Sequence, residues 1–371
     1  MSSSESKPIA AYLGPIASYS QQAALQAFSE AVWYLKPVTT IDDVCDETQD
    51  KHVLLGIVPI ENSTNGSVVF TLDDLADRDG RYKDLYVNGE IYVDVHHQLL
   101  GHKKANTTGH GVSGTSTPTA ADPTPSKPRS KPLENLDHVK KLYSHPQAFG
   151  QCTKFISTYL KNAEKCDVSS TSKAAELVAA DNSGASAAIS SKLAAELCGL
   201  DTLAAAIEDR DDNTTRFLII GTQPTLPRGY PLRQDPARRT GTKSLVTFTV
   251  PHKSPGALAD ILGCFREFQL DLTSINSRPS LLGPFQYIIF VEFEGHKLDD
   301  PDGRVNSALG KIENMAQKLR WLGSWLIWRE KMQLIVQGTY EGTTQERGRG
   351  ADGLGSQPLT SKYWLWEGSN S

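Results

Sequence analysis

Long apolar runs, a basic stretch and paired cysteines are all missing from this chain of 371 residues. No apolar run approaches the roughly 18 residues that a membrane-spanning helix needs, so no membrane role is expected. Lysine and arginine number 38 against 43 aspartates and glutamates, a net charge of −5. With no basic run to neutralise a phosphate backbone, nucleic acid is not expected as a partner. The cysteines Cys45, Cys152, Cys166, Cys198 and Cys264 are odd in number and never form a C-x-x-C pair. That excludes a disulfide framework or a zinc site and reads as small buried hydrophobes in a reducing cytosol. Met1 to Lys7 is polar and runs straight into Ile9–Leu13, which leaves no room for a signal or transit peptide, so a cytoplasmic location is expected. Also missing are a Gly-rich nucleotide loop, a cluster of metal ligands and a Ser/Cys–His–Asp set. Neither a cofactor nor a metal is expected.

What is present is strand and helix in alternation. From residue 9 to about 220, short β-branched runs (Ile9–Leu13, Leu54–Ile60, Ile91–Val95, Lys141–Ser144, Ala185–Ser190, Phe217–Ile220) alternate with helical stretches such as Gln21–Glu30, Val68–Asp77, Pro146–Leu160, Lys173–Ala180 and Lys192–Cys198. Such alternation predicts a mainly parallel α/β sheet in two lobes. Residues 105–132 interrupt it: 18 of these 28 are Pro, Thr, Ser or Gly. A stretch so poor in apolar surface reads as a disordered insertion. Residues 222–241 read as a Pro- and Arg-rich linker. Beyond it the pattern becomes strand Lys243–Val250, helix Pro255–Phe268, strands Asp271–Ser277 and Phe285–Phe293, helix Val305–Leu322 and strand Leu326–Ile335. This β-α-β-β-α-β order is ferredoxin-like. A polar, Gly-rich tail, 336–371, closes the sequence.

Three segments carry chemistry. In Gly56–Val68, a buried strand opens into polar Glu61, Asn62, Ser63 and Thr64 just before a helix, where α/β proteins bind anions on free backbone N–H groups. These residues suit a carboxylate and a hydroxyl; capping and turning the chain is the plainer use of Asn62 and Ser63. In Leu142–Cys152, Ser144 and His145 sit at the mouth of a helix that opens with Pro146. Gln147 and Gln151 share one face of that helix. In Asp211–Ile220, polar Asn213–Thr215 leads into an apolar strand on which Thr215 and Phe217 face one side and Arg216 the other. Arg216 suits a bound carboxylate or a structural ion pair, and the ion pair is favoured. Taken alone, these residues describe a cleft for a small polycarboxylate.

Taken together, the motifs resemble those of prephenate dehydratases. The match runs through Tyr12–Pro15 with Ser20 and Ala23, Val58–Ser63, His97–Leu100, Ser144–Gln147, Gln151, Ser172–Ala174 and the triplet Thr215–Arg216–Phe217. The C-terminal module resembles the family's ACT regulatory domain, with Gly256–Ala257–Leu258 and Asn276–Ser277–Arg278–Pro279 matching its two phenylalanine-site motifs. About 290 of the 371 residues are covered. Two places depart from the pattern. Ile16–Ala17–Ser18–Tyr19–Ser20 stands where the family usually reads Glu-Gly-Thr-Phe-Ser, and Asn276 stands where it usually has Glu.

The resemblance implies a two-lobed catalytic module, 8–221, folded like type II periplasmic binding proteins. Lobe one is 8–95 plus 208–221 and lobe two is 96–207. An ACT domain over 242–335 follows. The implied activity is decarboxylating dehydration of prephenate to phenylpyruvate, with phenylalanine as feedback inhibitor and assembly into a homodimer or homotetramer. Thr215, Glu61, Asn62, Ser144 and Gln151 take catalytic roles by this resemblance. Ser20, Ser63, Thr64, His145, Gln147, Ser172, Asn213, Arg216 and Phe217 bind substrate. The family gives Thr215 the departing hydroxyl, with Glu61 and His145 as rival acids. Arogenate dehydration and a non-catalytic small-molecule sensor are the competing readings.

Overall fold

The computed structural model describes residues 7–103, 127–226, 239–251 and 254–328. Residues 105–126 of the expected insertion, most of the expected linker and the whole expected tail lie outside these residues.

The first layer is built from β1 (Ile9–Leu13), α1 (Tyr19–Ala27), β2 (Tyr34–Val38), α2 (Ile41–Gln49), β3 (Leu55–Asn62), β4 (Gly66–Ser67), α3 (Val69–Ala76) and β5 (Tyr86–Asp94). The chain then crosses to a second sheet. It contains β6 (Gln98–Gly101), β7 (Lys141–Ser144), α4 (Pro146–Gln151), α5 (Thr153–Tyr159), β8 (Glu164–Asp167), α6 (Thr171–Ala179), β9 (Ser186–Ser190), α7 (Lys192–Cys198) and β10 (Asp201–Ala204). It returns to the first sheet as β11 (Thr214–Gly221), which inserts between β3 and β5 in the order β2-β1-β3-β11-β5. The second sheet runs β10-β6-β9-β7-β8. Two separate sheets joined by two crossings are the two-lobed α/β architecture expected.

The first sheet is more mixed than the sequence predicts. β1 pairs parallel to β2 and β3, but β11 is antiparallel to both β3 and β5. Because β11 runs backwards, its first residues meet the last residues of β3, and Thr215 stands opposite Asn62. The expected helix 146–160 is broken at Cys152, and the break has a cause. The Asp209 carboxylate accepts from the backbone N–H of Thr153 (3.0 Å) and of Lys154 (2.9 Å), which starts a new helix there. The expected insertion also ends earlier than its composition suggests. Arg129 and Ser130 are buried, and Arg129 pairs with Glu208 (2.9 Å) and Asp211 (3.2 Å), so 127–132 belongs to the folded lobe.

The C-terminal module comprises β12 (Arg239–Thr249), α8 (Ala257–Glu267), β13 (Leu272–Pro279), β14 (Tyr287–Glu294), α9 (Arg304–Met315) and β15 (Lys318–Trp328). The order is β-α-β-β-α-β, and the antiparallel sheet runs β13-β14-β12-β15. Helix α9 is shorter and the last strand earlier than expected. Lys318–Leu322 continues the apolar pattern but alternates with period two and pairs with β12.

One face of this sheet packs on α8 and α9 through Val246, Phe265, Val291 and Ile312. The other face joins the first lobe: Leu245, Phe290, Leu322 and Trp325 share a core with Val44, Val58, Leu72, Leu218 and Ile220. Each such fully buried side chain contributes roughly 1.5–3 kcal/mol. Gly323 makes the contact possible, since a Cβ there would lie 2.2 Å from the Val87 carbonyl oxygen. Arg320 completes the joint by donating to the carbonyls of Tyr82 (2.5 Å) and Leu85 (3.3 Å). Among the described residues, no helix is long and apolar enough to cross a membrane.

Candidate active site

A cleft of about 880 Å³ is lined from both lobes. The first lobe supplies Ser18, Tyr19 and Ser20 at the start of α1, Asn62 at the end of β3, and Thr215 and Phe217 on β11. The second lobe supplies His145, Gln147 and Gln151 from α4 and the start of α6, including Ser172 and Lys173.

Local sequence explains why these groups face the cleft. Helices α1 and α6 begin with serine caps: Ser18 Oγ accepts from Gln21 N (3.1 Å) and Ser170 Oγ from Lys173 N (3.0 Å). Their N-termini carry free N–H groups and partial positive charge, which favours carboxylates. Ser172 is buried, lines the cleft, and its Oγ has no hydrogen-bond partner among the described residues. A buried polar atom left unpaired is costly unless a ligand or water completes it. His145 caps the short α4 by accepting from Gln147 N (3.2 Å) on Nδ1.

Asn62 organises the lobe-one side. Its Oδ1 accepts from the backbone N–H of Thr64 (3.1 Å) and Asn65 (3.0 Å), which can only donate. The amide orientation is therefore fixed. The two Nδ2 hydrogens go to Asn213 Oδ1 (2.8 Å) and Thr215 Oγ1 (2.9 Å). Thr215 accepts from Asn62, so its own hydrogen is free to point into the cleft.

A residue left out of the expected site stands where the lobes meet. His97 is buried, its Nε2 is 2.7 Å from Gln151 Oε1 and its Nδ1 is 3.2 Å from the Tyr19 hydroxyl. Its backbone N–H donates to Glu208 (2.9 Å), which lies on the returning crossing. Burial holds the His97 imidazole below the ordinary histidine value. The neighbouring His96 is raised by its hydrogen bond to Glu208. The adjacent pair His96–His97, just past the expected strand Ile91–Val95, was the available signal, and in the sequence His97 enters only through the family match His97–Leu100.

Of the expected site residues, Ser20, Asn62, His145, Gln147, Gln151, Ser172, Thr215 and Phe217 line the cleft together. The others do not. The Ser144 hydroxyl is fully buried and donates to the Ile189 carbonyl (2.8 Å), because residue parity on β7 turns it into the lobe. Ser63 stitches β3 to β11, donating to the Asp212 carbonyl and accepting from Thr214 N, both at 2.9 Å. Thr64 contacts Gln151 (3.3 Å) across the lobes, and Asn213 acts through Asn62. Glu61 pairs in register with Arg216, on the strand parity opposite to Asn62 and Thr215. It is absent from the cleft lining. Arg216 points away from the cleft into a buried cluster with Glu90 and Glu292, which is the ion-pair use of that arginine and not substrate binding.

Gly256 caps α8 with φ of 82°, a conformation that suits glycine, and Ala257 and Leu258 open the helix. Asn276, Ser277, Arg278 and Pro279 lie on β13, and three of them bind the first lobe. Asn276 Oδ1 accepts from Ser67 Oγ (2.6 Å), Arg278 holds Asp73 with two bonds of 2.8 Å, and the Pro279 carbonyl accepts from Arg78 (2.7 Å).

Residues 10–225 match the family model described as prephenate dehydratase. A bifunctional chorismate mutase/prephenate dehydratase of Stutzerimonas stutzeri is 36% identical over 315 residues, covering 85% of this chain and 72% of that protein. The prephenate dehydratase of Methanocaldococcus jannaschii is 31% identical over 291 residues, covering 77% and 88%. Among solved structures, prephenate dehydratase from Arthrobacter aurescens in complex with L-Phe superposes with a TM-score of 0.67 at 27% identity, covering 85% of this chain and 89% of that one.

Proposed function

The chain belongs to the prephenate dehydratase family, and from that premise we propose how its cleft carries out the reaction. The enzyme removes water and carbon dioxide from prephenate to give phenylpyruvate. The electron pair of the ring carbon–carboxylate bond moves into the ring and expels the hydroxyl from the carbon opposite. Aromatisation drives this strongly forward, so the protein has three tasks: to hold two carboxylates, to assist the departing oxygen and to limit water.

The starts of α1 and α6, with Ser20 and Ser172, hold the carboxylates. Thr215 donates its free hydrogen to the departing oxygen, a bond that strengthens as charge grows there. His145, Gln147 and Phe217 shape the pocket. Gln151, held by His97 and touching Thr64, keeps the lobes together over the substrate. The observation that carries this reading is the Asn62–Thr215 bond, which leaves the threonine hydrogen available. Relatives named for arogenate alone are 28–29% identical and one named for both substrates is 30%, against 36% and 31% for the Stutzerimonas and Methanocaldococcus proteins named for prephenate. The test is to incubate purified protein with prephenate and, separately, arogenate, following phenylpyruvate and phenylalanine. Phenylpyruvate formed from prephenate supports the reading; no turnover of prephenate overturns it.

We also propose that residues 8–221 form the catalytic module and 242–335 an ACT domain that binds phenylalanine at Gly256–Leu258 and Asn276–Pro279, in a cytoplasmic homodimer or homotetramer. The L-Phe complex of the Arthrobacter relative supports the effector. Leu281, Leu282 and Phe285, between β13 and β14 and 76–83% exposed, support a partner surface.

A further inference from the structure

Strand β11 presents successive side chains to opposite faces, so the residue after Thr215 points away from the cleft. That residue, Arg216, has a side chain only 10% exposed. It bonds Glu90 on β5 through Nε (2.9 Å) and Nη2 (2.6 Å), and it bonds Glu292 on β14. Lys243 on β12 completes the cluster, 3.1 Å from Glu292 and 3.4 Å from Glu90. Two cations and two carboxylates are thus buried together and balanced. Half come from the catalytic sheet and half from the C-terminal sheet.

Two features make this cluster more than a seam. The β3–β11 register shifts between Arg216 and Phe217, immediately beside Thr215. The β5 side of β11 stays in regular register from Thr214 to Ile219, so the irregularity lies on the β3 side, the side that carries Asn62, and such irregularities re-aim the side chains around them. Glu292 is also tied to β13, because Thr273 donates to its Oε1 at 2.6 Å. A continuous set of bonds runs from Thr273 on β13 through Glu292 to Arg216, the residue beside Thr215.

We propose that Glu292 of the C-terminal sheet is a positioning residue for the reaction, acting through Arg216 to hold the Thr215 hydroxyl in its productive direction. Glu292 touches no substrate. The reaction itself is the one assigned above, and the link to feedback rests on phenylalanine binding at β13. Burial opposes charge on Glu292, but Arg216 and Lys243 outweigh it and hold the carboxyl below the ordinary value. The group is therefore ionised at neutral pH.

Glu292→Gln keeps shape and the bond from Thr273 while removing the charge. It should lower kcat for prephenate roughly tenfold or more, the scale set by small misplacements, with KM little changed. In a Thr215→Ala background the same substitution should cost almost nothing further, because its effect passes through that hydroxyl. If Glu292→Gln does not fold, Glu292→Gln with Lys243→Met keeps the cluster neutral and carries the same cycle. Wild-type turnover in Glu292→Gln, or an equal loss with and without Thr215, overturns the proposal. A wild-type enzyme that ignores phenylalanine removes the effector site alone, and the mutant cycle still decides the role of Glu292.

Discussion

Asn62 donates through Nδ2 to Thr215 Oγ1 at 2.9 Å while its Oδ1 is held by backbone N–H groups of its own loop. Asn62→Asp keeps those loop bonds but puts an acceptor beside Thr215. The threonine hydrogen would then turn toward the new carboxylate and away from the cleft. Turnover should fall by about 10²-fold or more, the worth of a positioned proton donor, with the melting temperature little moved. Steady-state kinetics beside a thermal melt checks this, and normal turnover would refute the proposed orientation.

Ser144 separates a structural serine from a catalytic one. Its hydroxyl satisfies the buried Ile189 carbonyl and does not reach the cleft. Ser144→Ala should cost about 1–2 kcal/mol of stability, for an acceptor left unpaired, and leave kcat near the wild-type value. Loss of turnover at unchanged stability would return Ser144 to the catalytic group.

The boundary of the Pro- and Thr-rich segment is equally open to test. Replacing 105–126 with a short Gly/Ser loop should leave activity and urea stability nearly unchanged, since loop length enters closure entropy only logarithmically. Extending the replacement through residue 132 removes Arg129, the arginine paired with Glu208, whose side chain is 1% exposed, and leaves that carboxylate only its bonds to His96 and the His97 N–H. That version, like Arg129→Met, should lose about 3 kcal/mol. Equal stability of the two replacements would contradict the role given to Arg129.

The two crossings predict a pH signature. The His96 pKa is raised by its hydrogen bond to Glu208, so its stabilising contribution is full below about pH 6.5 and is lost as pH rises through its folded value. The His97 pKa is lowered by burial, so holding it neutral costs stability as pH falls below about 6.5. The two oppose each other in the wild type. His96→Gln should therefore lose melting temperature more steeply than the wild type between pH 7 and pH 5, and converge with it near pH 8. A constant difference across that range would refute the assignment.

Much of this was legible in the sequence because the relevant signals are local. Alternating runs gave the two α/β lobes, the switch after residue 241 gave the β-α-β-β-α-β module, and strand parity separated Thr215 from Arg216. What escaped depends on long-range partners. Nothing near β11 says that it runs antiparallel between β3 and β5, and that arrangement is what sets Thr215 against Asn62. The split of helix 146–160 comes from Asp209, 56 residues beyond Thr153. Glu61 and Ser144 stand in motifs whose neighbours do line the cleft, and only residue parity turns them away. Arg129 stands in a stretch whose composition argues against order, and its partner Glu208 is 79 residues distant.

The central claim is that Thr215 assists departure of the hydroxyl, and the direct measurement is kcat for prephenate in Thr215→Ala and Thr215→Ser. The alanine variant should fall by roughly 10²–10⁴-fold, or about 3–5 kcal/mol of barrier, with KM little changed. The serine variant, which keeps the hydroxyl and its bond from Asn62, should retain most of the turnover. Near-normal kcat in Thr215→Ala would contradict the account and move the role to another group of the cleft, with His145 the first to test.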